Sequence, residues 1–445
     1  MAQDPRLTVV QALAELHRRR SYSNIVLDQL LRTLALSDAD RSLASRLFYG
    51  VIERRLTLDY VLSAASSVPL RKVHPLVHET LRVALYQILY MDKIPDAAAV
   101  NEAVSGVRRL KQGQASGYVN GVLRGILRRR ELLLDSLPEG DEGLSIRHSC
   151  PAELISFWRQ AYGDVMAERL VASINETPDA FLRVNTLRTT DEKFSKILKN
   201  RGINHQICDD LPHCLQLNSG YLLNNLATDE KNCYYYQDKA SQWACVAFDA
   251  QPGEAIADVC AAPGGKSFTL AQMMNNTGRL LACDLYPAKC ETIDRRSEEL
   301  GITVLRTAVR DASMPCPEQL RGAFDRVLCD VPCSGLGVIR RKPEIRYKAL
   351  QEFDELPALQ YRILERSAEM VKSGGVLQYS TCTLNPAENE AVASRFLREH
   401  PEFSPRVLPI ERCFAMLGSK PSHMITLLPP VHGTDGFFIA GFCKK

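Results

Sequence analysis

From Tyr236 to about residue 400 the chain alternates apolar runs of strand length with longer amphipathic stretches. That rhythm admits few folds, because parallel strands must be joined by crossovers and a helix is the usual crossover. It predicts an α/β, doubly wound parallel sheet in the domain of residues 236–445. In EAIADVCAAPGGKSFTLAQMM, Ala255–Val259 reads as the first strand, Cys260–Gly265 as the turn, and Lys266 as the start of the helix. Gly264 and Gly265 allow backbone to approach a ligand closely, and the helix N-terminus behind them favours an anionic group. A phosphate-binding P-loop needs Gly where Cys260 stands, and the dinucleotide pattern GxGxxG is absent. Cys260, Ala261, Ala262, Pro263, Gly264, Gly265 and Lys266 are therefore read as a cradle for a cofactor of another kind.

Open α/β sheets bind ligands beyond the carboxyl ends of their strands. Three acids fall at such ends: Asp284 in RLLACD, Asp311 after TVLRTAV and Asp330 after RVLC. One acid at a strand end is as often a turn cap as a ligand group. Three in succession point to a ligand-binding edge: Asp284, twenty residues past Gly264, is placed for ribose hydroxyls. Asp311 is read near an adenine, and Asp330 between cofactor and substrate.

Two cysteines stand on the same edge. Cys333 follows Pro332 in RVLCDVPCSGLG, and Cys382 follows Thr381 in GGVLQYSTCTLNP. A thiol attacking a planar heterocycle needs a loop held by rigid elements, and a strand end supplies one. The fourteen cysteines contain no CxxC pair and no regular spacing, which argues against a disulfide framework, a zinc ribbon or any metal centre, and for a reducing, cytoplasmic setting. Cys245, Cys283, Cys290 and Cys329 sit inside apolar runs and read as small buried hydrophobes.

The N-terminal part is built differently. LTVVQALAEL, SNIVLDQLLRTL, SLASRLFYGVIERRLTLDYVL, HETLRVALYQILYM and YVNGVLRGILRRRELLL carry apolar residues at helical spacing, which predicts a helical bundle for residues 1–135. Ser37, Asp38 and Asp96 are candidate caps, and Pro69 and Pro95 punctuate between helices. The polar stretch LDSLPEGDEGLS, 134–145, reads as a linker. Residues 146–235 mix helices with short strands and read as a small α+β module. The tail, MITLLPPVHGTDGFFIAGFCKK, reads as two strands forming an antiparallel edge. Net charge is only +3, so distribution matters more than sum. Arg18-Arg19-Arg20 and Arg128-Arg129-Arg130 are basic clusters, and Arg108, Arg109 and Lys111 with Arg124 and Arg128 form a candidate phosphate-binding stripe. The competing reading is a solvated helix face. No apolar run approaches the roughly 18 residues of a membrane span.

The order of RVNTLR, YYQDKAS, DVCAAPGGKS, DVPCSGLGVIRRKPEIR, YSTCTLNPAENE and GTDGFFIA resembles the RNA cytosine-5 methyltransferases, and the helical segment with YVNGVLRGIL resembles the NusB-like RNA-binding domain of one branch. The resemblance covers nearly the whole chain. It implies a Rossmann-like class I methyltransferase domain, an all-α NusB-like domain and a small RNA-binding middle module. It implies S-adenosylmethionine held by Cys260–Lys266, Asp284, Asp311 and Asp330, with Cys382 as nucleophile and Cys333 aiding product release. The implied partner is 16S rRNA, naked or in a partly assembled small subunit, bound by a monomer with no membrane association. Arg183 and Asn185 in FLRVNTLR are expected to meet the substrate strand. Arg340 and Arg341, with Lys342, are expected to lower a thiol pKa or to hold RNA phosphate. Two small departures stand out: PAEN at 386–389 carries one acid where relatives often have two, and Val331 replaces a common Ala. A DNA cytosine methyltransferase with Cys333 as nucleophile, and a non-catalytic RNA-binding adaptor, are the alternative readings.

Overall fold

A computed structural model describes residues 4–19, 23–33, 37–130, 133, 137–217, 223 and 226–445. The start of the stretch read as a linker and Arg20 of the first basic cluster lie outside them. By internal contacts the chain forms two units, one of 1–175 with 339–348, the other of 176–338 with 349–445.

The first unit is helical. Its core is built on Leu13, Leu47, Phe48, Leu58, Leu81, Leu85, Val107 and Leu123, all fully buried, from helices Pro5–Arg19, Asp38–Glu53, Arg55–Ala65, Pro75–Tyr90, Asp96–Arg109 and Ser116–Leu127. Ser37 caps its helix as its residue type suggests, the hydroxyl accepting from the Asp40 amide at 3.2 Å. The linker expectation needs correction, because Gly140–His148 is a helix. Its polar composition hides it, yet Asp141 and Glu142 open it and Arg147 and His148 close it, the charge order a helix dipole favours. Ile339–Lys348 belongs to this unit. Arg346 is buried there, donating to the Glu53 carbonyl at 3.2 Å, the Ile174 carbonyl at 3.1 Å and Asn175 Oδ1 at 2.9 Å.

The second unit holds two sheets. The smaller contains β1 (Ala180–Val184), β2 (His205–Ile207), β3 (Cys214–Leu217) and β4 (Tyr234–Tyr236) in the order β2-β3-β1-β4, all antiparallel. The larger contains β5 (Ala255–Asp258), β6 (Arg279–Asp284), β7 (Leu305–Val309), β8 (Phe324–Asp330), β9 (Val371–Thr381), β10 (Phe403–Pro405), β11 (Met424–Leu427) and β12 (Phe437–Lys444). Its order is β10-β12-β9-β8-β5-β6-β7, with β11 also on β12. Strands β5 to β9 pair in parallel, and β12 runs antiparallel to β9. The order reverses at β5, with β6 on one side and β8 on the other. Such a switch point opens a crevice at the strand ends.

The tail's two strands, β11 and β12, pair antiparallel as expected, but β12 is interior rather than at an edge. Strand β12 lies between β9 on one side and β10 and β11 on the other. Its run FFIAGF is buried on both faces, as an interior strand must be. Among the described residues no helix is long and apolar enough to cross a membrane.

Candidate active site

The turn after β5 is held from three sides. Gly264 has φ +107°, and a Cβ there would collide with the Phe268 ring, so only glycine fits. Asp284, at the end of β6, accepts from the Ala262 amide at 3.3 Å and the Tyr286 amide at 3.1 Å, and Lys289 Nζ stands 3.4 Å away. The helix Gly265–Met273 starts directly behind. A cavity of about 200 Å³ opens here, lined by Gln237, Asp258, Cys260, Ala261, Ala262, Pro263, Gly265, Lys266 and Asp330. Gly264, Asp284 and Asp311 are outside its lining. Asp311 is exposed and accepts from the amide (2.9 Å) and hydroxyl (2.7 Å) of Ser313, which hold its carboxyl below the usual range.

Two buried polar atoms face this cavity without a partner: Asp258 Oδ1 and Gln237 Nε2. Such atoms are costly unless a ligand completes them. Burial pushes the Asp258 carboxyl up to about 7, with Asp330 adding to the rise against the Ser267 hydroxyl at 2.7 Å. A carboxylate acceptor and an amide donor in one lining fit the ammonium and carboxylate of an amino-acid moiety. Reading from strand ends missed both residues: Asp258 is the last residue of β5, a strand the sequence reading ran on to Val259, and Gln237 belongs to YYQDKAS, which carried no chemistry on sequence alone.

The thiols meet. Cys382 directly follows β9, Cys333 stands three residues beyond β8, and their sulfurs are 3.3 Å apart. Asp330 ends β8 with both oxygens engaged, Oδ2 by Lys266 Nζ at 2.6 Å and Oδ1 by Ser380 Oγ at 2.8 Å. Burial opposes the Lys266 charge, but Asp330, with Cys245 and Cys382, outweighs it and raises the pKa. Lys266, expected only in the cradle, thus also interacts electrostatically with Cys382. The same ammonium lies 5.1 Å from the Phe437 ring centroid. At Cys333 the hydrogen bond with Cys382, burial and Glu388 push the thiol well above the usual range. Arg340 and Arg341 belong to the segment 339–348 of the first unit.

The two thiol loops are clamped together. The Gly337 amide donates to the Cys382 carbonyl at 3.1 Å and the Gly436 amide to the Gly337 carbonyl at 2.8 Å, which gives GTDGFFIA its place. Thr381 and Thr383, flanking Cys382, both engage Asn389, at 2.6 and 3.0 Å. Glu388, fully buried, accepts from the Ser334 amide at 2.9 Å, Gln360 Nε2 at 2.8 Å and Asn385 Nδ2 at 2.8 Å. Glu388 and Asn389 were legible only as a polar stretch after a strand.

Two candidate RNA contacts are structural instead. Arg183 is buried, its guanidinium donating to the Pro212 carbonyl at 2.9 Å. Asn185 is also buried, its amide donating to the carbonyls of Asn232 and Leu300, both at 2.9 Å. Neither presents a polar group to a strand of RNA. In the helical unit Arg124 and Arg128 are exposed, with Arg124 Nε on Asn120 Oδ1 at 2.9 Å. Arg109 pairs with Asp4 and, at 3.5 Å, Glu102, so its charge is largely answered within the unit. A groove of about 410 Å³ lies nearby, lined by Asn101, Ser105, Arg108, Ser116, Gly117 and Asn120, with no acid among its lining residues.

Comparison with known proteins settles the family. Residues 245–443 match the profile described as 16S rRNA methyltransferase RsmB/F, 3–128 match the NusB family, and 150–223 match the RsmF/B-like ferredoxin-like domain. A relative from Bacillus subtilis, "probable ribosomal RNA small subunit methyltransferase B", is 35% identical over 98% of both chains. The chain belongs to the 16S rRNA methyltransferase RsmB/F family. This RsmB/F chain shares its fold with the crystal structure of PH0851, which has TM-score 0.79, 24% identity and coverage of the whole of both chains. NSun6 from Pyrococcus horikoshii with SFG has TM-score 0.59 and 21% identity, covering 66% of this chain and 98% of its own. The RsmB/F fold is thus a NusB domain, a ferredoxin-like module and a Rossmann-like methyltransferase domain. The NusB match ends inside the helical unit, and the ferredoxin-like match begins within it, at residue 150.

Proposed function

We propose that this protein transfers a methyl group from S-adenosylmethionine to carbon 5 of a cytosine in small-subunit rRNA, through a covalent adduct with Cys382. The carrying observation is the pair of thiols 3.3 Å apart at adjacent strand ends, with Asp330 and Lys266 joined between them and the cavity. The cradle Cys260–Gly265, Asp258 and Gln237 would hold the cofactor's amino-acid part, with Asp284 and Asp311 toward its nucleoside. When bound, S-adenosylmethionine supplies an electrophilic methyl on a sulfonium.

Carbon 5 of cytosine is a weak nucleophile. The Cys382 thiolate forms a bond to carbon 6, and the electron pair displaced from the 5,6 double bond makes carbon 5 nucleophilic. Lys266 favours the thiolate electrostatically, and Asp330 is the acid assigned to ring nitrogen 3, where it favours the addition. After methyl transfer a base takes the carbon 5 proton, the C–H electrons restore the double bond, and the bond from carbon 6 to sulfur breaks. Cys333 assists that departure. The base must be unpaired or flipped to reach a thiol, at a cost of a few kcal/mol when stacked. Arg124, Arg128 and the groove at Arg108 offer the RNA backbone cations, amides and hydroxyls.

The test is mapping of 5-methylcytosine in small-subunit rRNA from cells with and without the gene, paired with tritium transfer from labelled S-adenosylmethionine to that RNA, naked or in assembly intermediates. Loss of one 5-methylcytosine on deletion is expected. An unchanged rRNA pattern, or label entering DNA instead, would overturn the reading.

A further inference from the structure

The two thiols are nearly symmetric in covalent terms, each on a loop after a parallel strand, yet the proposed chemistry needs them to differ. One must ionise and attack, and the other must not compete. Their surroundings break the symmetry. Around Cys333 stand Tyr379 of β9 and Cys382 just after it, the Gly335 amide of its own loop, and Glu388 of the loop before helix Glu390–Glu399. Cys382 instead feels Lys266.

We propose that Glu388 is a positioning residue that assigns the thiols their roles, its buried carboxylate keeping the proton on Cys333 so that Cys382 is the thiol that ionises. The geometry is specific. Glu388 receives the amide of Ser334, the residue after Cys333, and Asn385 and Gln360 supply two more donors, Gln360 also bonding the carbonyl of Pro332 on the other side of that cysteine. A negative charge fixed beside one thiol in a low-dielectric site disfavours a second negative charge there. The Cys382 proton leaves to solvent, Cys333 keeps its own, and its S–H donates across the 3.3 Å gap to the Cys382 thiolate. The same donation stabilises that thiolate when the bond from carbon 6 to sulfur breaks, which is how Cys333 would help release. This inference rests on the reading of Cys382 as nucleophile, but its test needs neither RNA nor cofactor.

The test is pulsed alkylation of the full-length protein with iodoacetamide from pH 6 to 10, with peptide mass spectrometry locating the label. In the unaltered protein Cys382 should react at least ~10-fold faster than Cys333 near pH 7.5, the ratio of thiolate for about one unit between the two thiols. Glu388→Gln removes the charge and should narrow that ratio several-fold, with the Cys333 profile moving to lower pH. Asn385→Ala removes one donor but keeps the charge, and should preserve the order. Equal or reversed labelling in the unaltered protein overturns the proposal whether or not either variant folds. So does a folded Glu388→Gln protein with unchanged profiles, or loss of the order in Asn385→Ala alone, which would mark a mere loop clamp. If the labelling order holds but Cys382→Ala still methylates rRNA, the functional reading falls and the charge assignment stands.

Discussion

Cys382 and Cys333 are set apart by their neighbours, and variants should separate their roles. Cys382→Ala removes the nucleophile and should abolish methyl transfer while the Gly264 turn, untouched, still binds cofactor. Cys333→Ala should still form the bond to carbon 6 but release it slowly, leaving an RNA–protein species that survives denaturing electrophoresis. An adduct trapped by Cys382→Ala, and absent with Cys333→Ala, would exchange the roles. Asp258 carries a pH signature. Its carboxyl is pushed up to about 7 in the folded chain, against about 4 when unfolded. Its contribution is therefore fully present below about pH 4 and is lost as pH rises to 7, because the unfolded state releases the proton first. Asp258→Asn should raise the unfolding free energy above pH 7 by on the order of a few kcal/mol, read as a higher melting temperature, with the gap closing toward pH 4. Parallel melting curves for the two proteins across that range would refute it.

At the scale of elements, the active site is a product of how strand ends are tied together. Strands β8 and β9 pair side by side, so the loops after them must meet. Gly337 lets them meet closely: a Cβ there would lie 2.8 Å from the Cys382 carbonyl oxygen and collide with the Gly436 carbonyl. Gly337→Ala should push the Cys333 loop off Cys382 and lower kcat on the order of 10²-fold, as a displacement near 1 Å does, with little change in cofactor KM. Single-turnover kinetics would check this, and an unchanged rate of adduct formation would show that the loop tolerates the shift. The tail strand illustrates the same principle. Its sequence reads as part of an antiparallel edge, and only the sheet reveals that its neighbours are β9 on one side and β10 and β11 on the other.

For the molecule as a whole, the basic residues outside the methyltransferase domain bear on substrate affinity rather than chemistry. Arg124 and Arg128 are exposed on the helical unit, whereas the candidate catalytic groups all lie beyond residue 235. Reversing both charges should weaken rRNA binding uniformly and reduce the slope of log affinity against log salt by about 1–2, the number of phosphate contacts removed. Cofactor binding should not change. Equal affinities at several salt concentrations would return those arginines to a solvated helix face.

The sequence by itself determined the class of fold and the list of reactive groups. Local periodicity dictates which segments are strands and helices, and Gly264, Asp330, Cys333 and Cys382 sit at strand ends that periodicity locates. Helical periodicity likewise outlined the bundle, although Gly140–His148 escaped notice because polar residues dominate it. Tertiary structure alone decided partnership. Arg183 and Asn185 look like polar groups offered to a ligand, yet long-range packing places carbonyls 29 to 115 residues away against them. Lys266 looks like a cradle residue, yet β5 and β8 lie side by side and put Asp330 on its ammonium. Glu388 is one acid in a polar loop until burial and three donors, one of them the Ser334 amide, anchor it to the Cys333 loop. Propensity acts over a few residues, whereas burial and hydrogen bonding depend on which distant backbone arrives, and that is set only when the sheet is assembled.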